Sequence, residues 1–278
     1  MPYADIGGYS MYYELDNFTD PWKQPETVLL HAGYCRNSRF WYAWVPGLAR
    51  HYQVLRPDHR GSGESPSPGP DFQPTIEGFV DDVMALMDHL RLERVHYVGE
   101  SFGGVVGIQM ALTHPERLHS LTLCNTGFRI LPKALTANSA GFPDRLDAID
   151  ELGLEGWCRK TIDVRLDQER ASAELSNWYC QEIGRADPLL AKRLSMVTRY
   201  VDFSPRMAEI KVPTLLLAPG KSKITDLEQQ RFMANAIPDA KLVVIENVGH
   251  GVNVLEPERC TLELLDFLAG RKAGASQA

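Results

Sequence analysis

The chain has 278 residues, 44% of them apolar, and its 36 acidic and 29 basic side chains give a net charge of −7. A chain of this size can bury a large core, and we expect one α/β domain that carries an insertion. The acidic balance argues against a nucleic-acid-binding surface, and no apolar run approaches the length of a membrane span.

Cysteine and histidine usage limits the chemistry further. The five cysteines are scattered, odd in number and without a C-x-x-C pair, and no charged-then-apolar leader opens the chain. We therefore expect reduced thiols in a cytoplasmic protein. No metal-ligand spacing and no phosphate-binding glycine loop is found, so we expect neither a metal nor a cofactor. The expected partner is a small-molecule substrate rather than nucleic acid or a membrane, and both a monomer and a homo-oligomer remain open.

Strands and helices alternate in the first third of the chain. Residues 9–15 alternate enough to predict an antiparallel strand, and residues 27–30 form a short apolar run typical of a buried strand. Residues 38–50 predict one helix with an apolar face, and residues 53–56 a third strand. Thr75 stands where it would cap the amphipathic helix that follows it.

The most informative stretch is a strand, a tight turn and a helix in direct succession. Residues 95–98 are apolar and β-branched, as in a buried parallel strand, and apolar side chains recur at helical spacing over residues 105–112. Between them lies Gly-x-Ser-x-Gly, with Ser101 at its centre. This context is that of a nucleophile elbow, in which Gly99 and Gly103 permit close backbone contacts and a strained turn exposes the serine hydroxyl.

A long helical stretch interrupts the alternation after the next strand. That strand is predicted over residues 118–125. Residues 126–205 contain helical segments, for example residues 146–154 and 188–201, and no convincing strand. We interpret this stretch as a cap above the strand ends, where ligands bind in open α/β sheets.

Alternation then returns to the end of the chain. We predict strands over residues 213–218 and 241–245 and helices over residues 226–236 and 256–268. The predicted division is therefore a core of residues 1–125 and 206–278 with a cap of residues 126–205.

Together these features resemble the α/β-hydrolase fold family, over roughly residues 9–125 and 207–270. The resemblance rests on four motifs: Leu30-His31-Ala32-Gly33, Asp58-His59-Arg60-Gly61-Ser62-Gly63, Gly99-Glu100-Ser101-Phe102-Gly103-Gly104, and Gly249-His250. It implies a mostly parallel sheet with helices on both faces and a helical cap. Within the family, Leu123-Cys124-Asn125-Thr126 and the cap are similar to 3-oxoadipate enol-lactonases and related small-acid esterases.

The resemblance also implies a catalytic triad in the chain order serine, acid, histidine. Ser101 would be the nucleophile, and His250, which follows the last strand, would be the general base. The oxyanion hole would use the backbone N–H groups of Phe102 and Gly33. Ala32 replaces the glycine that usually stands beside the family's histidine, which is a mild departure.

The third member of the triad is not a carboxylate at the expected position. The slot after residues 213–218 holds Ser222, and a less common location after residues 118–125 holds Asn125. Either could orient the histidine as a neutral hydrogen-bonding group. Asp226 is an alternative, although Thr225-x-x-Glu228 matches a capping box that would place Asp226 in the first helical turn. Glu246 is another, provided that its loop folds back towards His250.

A neutral group in the acid slot affects the expected chemistry. Loss of the carboxylate lowers kcat of a serine protease by about 10⁴-fold. A neutral group in this slot therefore favours reactive substrates such as activated esters and enol lactones. We therefore predict a serine hydrolase of a small carboxylic ester or (enol-)lactone that works through an acyl-enzyme. The alternatives are a non-hydrolytic enzyme on this scaffold (a lyase, a decarboxylase or a cofactor-free oxygenase) and a ligand receptor without turnover.

Cap arginines are the candidates for binding a substrate carboxylate, because a guanidinium group binds carboxylates bidentately. They are Arg129, which we take as the substrate-binding candidate, and Arg145, Arg159 and Arg165.

Overall fold

The computed structural model describes the backbone of residues 2–275 and the side chains up to Gly270. Over these residues the chain forms an eight-stranded sheet in the order β1-β2-β4-β3-β5-β6-β7-β8. The strands are β1 (Tyr3–Asp5), β2 (Ser10–Asp16), β3 (Thr27–His31), β4 (Gln53–Pro57), β5 (Val95–Glu100), β6 (Leu118–Cys124), β7 (Thr214–Pro219) and β8 (Ala240–Ile245). The strand β2 pairs antiparallel with both β1 and β4 at one edge, and β3 to β8 pair parallel with one another. The predicted α/β-hydrolase architecture is confirmed.

The helices lie on both faces of this sheet. In chain order they are α1 (Val45–Leu48), α2 (Ile76–His89), α3 (Phe102–Thr113), α4 (Pro132–Ala137), α5 (Arg145–Lys160), α6 (Ile162–Arg165), α7 (Ala173–Gly184), α8 (Pro188–Thr198), α9 (Leu227–Ala236), α10 (Val252–Leu255) and α11 (Pro257–Ala275). One apolar cluster joins α2, α3 and α9 to one face, and a second joins α1 and α11 to the other. In the central strands β3 and β7, alternate residues enter opposite clusters, as the period of two requires.

The region predicted as one helix over residues 38–50 is two short elements. A 3₁₀ turn covers Ser38–Trp41, and α1 begins only at Val45. Pro46 lies in the first turn of α1, where its missing N–H group is tolerated. Inside a longer helix the same proline would remove one backbone hydrogen bond and clash with the preceding turn. The 3₁₀ turn therefore ends before Pro46, and a separate helix begins at Val45.

Residues 126–205 lie between β6 and β7 and contain α4 to α8. An isolated antiparallel bridge between Arg129 and Asp202 ties the two ends of this insertion together. Ion pairs such as Arg39–Glu182 and Lys223–Asp163 attach it to the rest of the molecule. An apolar cluster that includes Trp157 and Tyr179 continues the core beneath it.

Two further findings concern the chemistry expected from composition. In the part of the chain that the structure describes, no helix combines the length and apolarity needed to cross a bilayer. All five cysteines are free and buried.

Candidate active site

The candidate nucleophile is held at the apex of a strained turn. Ser101 has φ 51° and ψ −111° between the last residue of β5 and the first residue of α3. This left-handed conformation is costly for a serine and persists because the flanking elements impose it. A Cβ on Gly99 would lie 2.5 Å from the backbone nitrogen of Gly104. The strand and helix therefore approach so closely that only glycine fits between them.

The elbow is also in backbone contact with the loop that follows β3. A Cβ on Gly103 would overlap the carbonyl group of His31 and lie 2.7 Å from the carbonyl oxygen of Ala32. The Tyr97 hydroxyl donates a hydrogen bond of 2.8 Å to the Gly103 carbonyl and contacts Nδ1 of His31 at 2.5 Å. These contacts fix the loop that carries Gly33 against the turn that carries Ser101.

The two proposed oxyanion donors lie on these adjoining segments. Phe102 is the first residue of α3, where a helical N–H group lacks an intrahelical acceptor. Gly33 packs so closely on Glu100 that a Cβ at this position would clash with the Glu100 carboxylate. The structure therefore brings both donors to the end of β5, and their part in catalysis remains a prediction.

A cavity of about 380 Å³ opens at the carboxyl ends of the parallel strands. Ser101, Phe102 and His250 all line it, together with residues of the cap. The volume lies within the range of small-molecule sites, about 300–1,000 Å³. The candidate nucleophile and the candidate base therefore line the same cavity.

His250 is buried, and Ser222 lies at its ring. The Ser222 hydroxyl is 3.4 Å from Nδ1 of His250, and it also accepts hydrogen bonds from the backbone N–H groups of Ile224 and Thr225. A base that acts through Nε2 requires the proton on Nδ1, where Ser222 can accept it. The structure thus places the uncharged Ser222 at Nδ1 of His250, and its part as the orienting group of the triad remains a prediction.

Asn125, the second neutral candidate, holds the backbone of His250 instead. Its side-chain N–H donates to the His250 carbonyl oxygen, and its amide oxygen accepts from the hydroxyl of Thr225 at 2.6 Å. Asn125 has φ 49° and ends β6 one residue earlier than predicted. It therefore links the His250 loop to the Ser222 loop without a contact to the imidazole ring.

The two carboxylate candidates are engaged elsewhere. Asp226, not Thr225, is the N-cap of α9, so the capping-box interpretation was wrong by one residue. The Asp226 side chain accepts from the N–H of Gln229 at 2.9 Å and pairs with Lys133 at 2.6 Å. Glu246 is exposed and packs against Gly220. The Thr225 hydroxyl instead donates to the amide oxygen of Asn125.

Electrostatics keep the imidazole of His250 neutral. Burial, together with the positive charges of Arg36 and Arg165, holds the pKa of His250 well below its usual value. With the uncharged Ser222 at Nδ1, no carboxylate at that nitrogen opposes these effects. A neutral imidazole can accept a proton, but the imidazolium that results is poorly stabilised here.

Arginine dominates the charge of the cavity wall. Of the described residues that line it, five are arginines and one is an aspartate: Arg36, Arg129, Arg145, Arg165, Arg199 and Asp144. Arg129, the predicted substrate-binding residue, is half exposed and lies 3.7 Å from the Asp202 carboxylate. Arg159, another candidate, is not among the described residues that line the cavity, and it pairs with Glu155 at 2.6 Å.

Sequence reasoning missed one buried ion pair at this site. The Arg36 guanidinium binds the carboxylate of Glu100, the second residue of the Gly-x-Ser-x-Gly motif, and both side chains are at most 5% exposed. The available signal was a glutamate at the end of a strand predicted to be buried, because a buried carboxylate needs a cation. Only the fold identifies Arg36 as that cation, because Arg36 lies in the loop after β3 and Glu100 ends β5.

Comparison with known proteins gives consistent matches over nearly the whole chain. A family model described as the alpha/beta hydrolase fold matches residues 26–257. A relative from Caulobacter sp. (strain K31), provisionally named carbamate hydrolase RutD, is 28% identical over 267 residues, or 95% of this chain and 97% of its own. A relative of the same name from Pseudomonas syringae pv. syringae (strain B728a) is 32% identical over 255 residues, or 87% and 93% of the two chains.

Solved structures give the same picture. The enol-lactonase from Burkholderia xenovorans LB400 has a TM-score of 0.84 at 26% identity and covers 96% of this chain and 100% of its own. A thermophilic esterase from Thermogutta terrifontis, with malate bound, has a TM-score of 0.81 at 27% identity and covers 97% of both chains.

Proposed function

Because the chain belongs to the α/β-hydrolase fold family, we propose that it is a serine hydrolase that cleaves a small carboxylic ester or lactone through an acyl-enzyme on Ser101. The observation that carries the proposal is the cavity in which strained Ser101 and buried, neutral His250 both stand. A nucleophile and a base in one enclosed pocket are the minimum machinery for acyl transfer.

The proposed mechanism follows from these positions. Ser101 Oγ attacks the substrate carbonyl carbon while Nε2 of His250 accepts the hydroxyl proton. The N–H groups of Phe102 and Gly33 stabilise the oxyanion that forms. His250 then returns the proton to the leaving oxygen, and a water molecule, activated by the same base, hydrolyses the acyl-enzyme.

The nature of the acid slot favours esters and lactones over more stable bonds. Relatives named carbamate hydrolase, enol-lactonase and esterase support a hydrolase in general. A neutral Ser222 stabilises the imidazolium less than a carboxylate would, so a substrate with a good leaving group is the better match. The arginine-rich wall, and the malate bound by the Thermogutta esterase, favour a substrate that carries a carboxylate.

Labelling of Ser101 is the direct test of this proposal. A fluorophosphonate probe should modify the wild-type protein at Ser101, and p-nitrophenyl esters of short acids should be hydrolysed. A lyase, a decarboxylase or a receptor on this scaffold needs no activated serine. Absence of both labelling and ester hydrolysis would therefore remove the hydrolase assignment and leave those alternatives.

A carboxylate placed in the acid slot should increase activity. In Ser222→Asp, the new side chain can accept from the N–H groups of Ile224 and Thr225 and stabilise the imidazolium of His250. We expect kcat for a p-nitrophenyl ester to rise by about tenfold. This is a small part of the difference in kcat, about 10⁴-fold, between serine proteases with a charged and with a neutral third residue.

Asp226→Asn is the matched control for that experiment. Asparagine retains the cap of α9, and the ion pair with Lys133 is half exposed, so we expect kcat to change by less than about threefold. A collapse of activity in Asp226→Asn, with Ser222→Asp inactive or unchanged, would show that Asp226 is the catalytic acid.

The low pKa of His250 predicts an unusual pH dependence. Because the neutral form is the base, a lowered pKa moves the acidic limb of kcat/KM to lower pH. We expect kcat/KM for an uncharged ester to fall by less than about twofold between pH 7.5 and pH 5.5, whereas a histidine with an ordinary pKa of about 6.5 would lose about tenfold at pH 5.5. Circular dichroism at both pH values controls for unfolding, and a tenfold loss in folded protein would contradict the assignment.

A further inference from the structure

Two arginines on the cavity wall are bound only by neutral groups. Arg165 is 4% exposed, and its guanidinium donates to the carbonyl and hydroxyl oxygens of Thr161 and to Oδ1 of Asn138. Arg145 donates through Nε to the hydroxyl of Ser195 at 3.0 Å. The other arginines of the wall have acidic partners, namely Glu100, Asp202 and Asp144. Arg165 is the buried one of the two, whereas Arg145 is half-buried and lies next to Asp144 in the chain. A buried cation whose partners are all neutral is costly, and an anionic ligand would compensate it.

The packing of both guanidinium groups prepares them for such a ligand. The Arg165 guanidinium carbon lies 4.1 Å from the centre of the Trp157 ring, and that of Arg145 lies 4.4 Å from the centre of the Tyr34 ring. The three hydrogen bonds of Arg165 use three of its five N–H donors, which leaves donors for a carboxylate. Aromatic walls hold the groups in place, so little side-chain entropy is lost on binding.

Arg165 is also coupled to the candidate base. A Cβ on Gly251, the residue after His250, would lie 2.8 Å from the carbonyl oxygen of Arg165, so the two loops are in direct contact. The charged groups that face His250 are Arg165, from the end of α6, and Arg36, from the loop after β3. Arg36 is compensated by Glu100 of β5, and the loop after β7 contributes the neutral Ser222. Both arginines oppose formation of the imidazolium, and of the two Arg165 is the one that hydrogen-bonds only to neutral groups among the described residues.

We propose that a carboxylate of the substrate itself, bound by Arg165 and Arg145, supplies the negative charge that the triad lacks at Ser222. This inference rests on the proposed hydrolase function and names its substrate class as esters or lactones with a free carboxylate on the acyl part. With the anion in place, Arg165 no longer repels the imidazolium of His250. An uncharged ester of the same shape binds beside an uncompensated cation and reacts through a weaker base.

The chemical step is an ordinary acyl transfer with this additional charge present. The bond between Ser101 Oγ and the carbonyl carbon forms, and the Ser101 proton moves to His250 Nε2. The bond from that carbon to the leaving oxygen breaks, and the same proton moves to the leaving oxygen. The substrate carboxylate stays ionised throughout and exchanges no proton or electron pair.

Matched ester pairs test the proposal. One member is the mono-p-nitrophenyl ester of succinate, glutarate or adipate, and the other is the ester of the same chain in which an isopropyl group replaces the carboxylate. Ser101→Ala provides the blank for hydrolysis by the substrate's own carboxylate. We expect kcat for the best hemiester to exceed that of its isostere by at least about tenfold. The pH dependence of kcat reports the pKa of the base in the enzyme–substrate complex. The acidic limb of the kcat profile should therefore lie about one pH unit higher for the hemiester than for its isostere.

Arg165→Gln separates a charge effect from simple binding. Glutamine can still donate to Asn138 but carries no charge. Because the repelling charge is then absent for both substrates, we expect kcat of the isostere to rise by about tenfold and its acidic limb to move to higher pH. The kcat of the hemiester should change little, so that the two substrates become alike. Arg165→Met is the second variant if the glutamine protein does not fold. Arg159→Gln, which removes an exposed charge that pairs with Glu155, is the control and should leave both profiles as in wild type.

Each failure has a distinct signature. If wild type cleaves neither ester faster than Ser101→Ala, the hydrolase function itself is wrong. If it cleaves both with equal kcat and coincident acidic limbs, the function stands and the charge compensation is wrong. If the hemiester gains only through a lower KM, and Arg165→Gln changes KM alone, then Arg165 binds substrate without assisting the base, which also overturns the proposal.

Discussion

Replacement of Ser101 by alanine is expected to lower kcat for a p-nitrophenyl ester by at least about 10³-fold, because it removes the hydroxyl that would form the acyl-enzyme. The protein should remain folded. Alanine tolerates φ 51° no worse than serine, and a half-buried hydroxyl at a turn adds little to the core. We therefore expect the melting temperature to stay within about 2 °C of wild type.

Two measurements complete that test. Fluorophosphonate labelling should disappear in Ser101→Ala and persist in Ser176→Ala, a serine of α7 that bonds Gln168. Hydrolysis in folded Ser101→Ala at a tenth of the wild-type rate or more would exclude Ser101 as the nucleophile. The remaining rate would then come from His250 acting on water directly, or from another site.

Gly103→Ala should greatly lower the free energy of unfolding. By helix propensity alone, alanine within α3 would stabilise the protein by about 1 kcal/mol. The structure reverses the sign, because the new Cβ would overlap the His31 carbonyl and lie 2.7 Å from the Ala32 carbonyl oxygen. Both contacts are with backbone, which cannot rotate away. We expect a loss of about 3 kcal/mol or more, seen as a fall in melting temperature of about 6–12 °C.

Gly270→Ala is the matched control in another helix. A Cβ on Gly270 meets nothing within 4 Å, so the same substitution in α11 should be neutral or stabilising by up to about 1 kcal/mol. Fluorophosphonate labelling of any folded Gly103→Ala protein should also decline, since the clash separates the elbow from the loop that carries Gly33. Unchanged melting and labelling in Gly103→Ala would mean that this contact is not rigid in solution.

Local patterns account for what the sequence predicted well. The elbow depends on a strand, a turn and a helix that are adjacent in the chain, so its glycines and Ser101 could be located without tertiary information. The same holds for Thr75, which caps α2 through the N–H of Gly78 as predicted. The helix predicted over residues 38–50 failed because its apolar spacing is also compatible with two short elements, and Pro46 decides between them.

The geometry around His250 depends on residues far apart in the chain. Sequence position alone left Ser222, Asn125, Asp226 and Glu246 as alternatives, since each lies near a strand end. Because β5 to β8 are parallel, their carboxyl ends share one edge of the sheet, and only the loop conformations select what reaches the imidazole ring. Those loops place Ser222 at Nδ1 and Asn125 at the backbone of His250.

By itself, the sequence determined the fold class, the positions of Ser101 and His250, and the absence of a carboxylate at the usual acid position, because each is written in neighbouring residues or in their order. The tertiary structure alone decided the charges that act on the site. Arg36, Glu100 and Arg165 come from three separate elements, and nothing in local spacing relates them. Electrostatic energy depends on distance in space and on burial, so charge relations between distant segments are fixed only when the chain has folded.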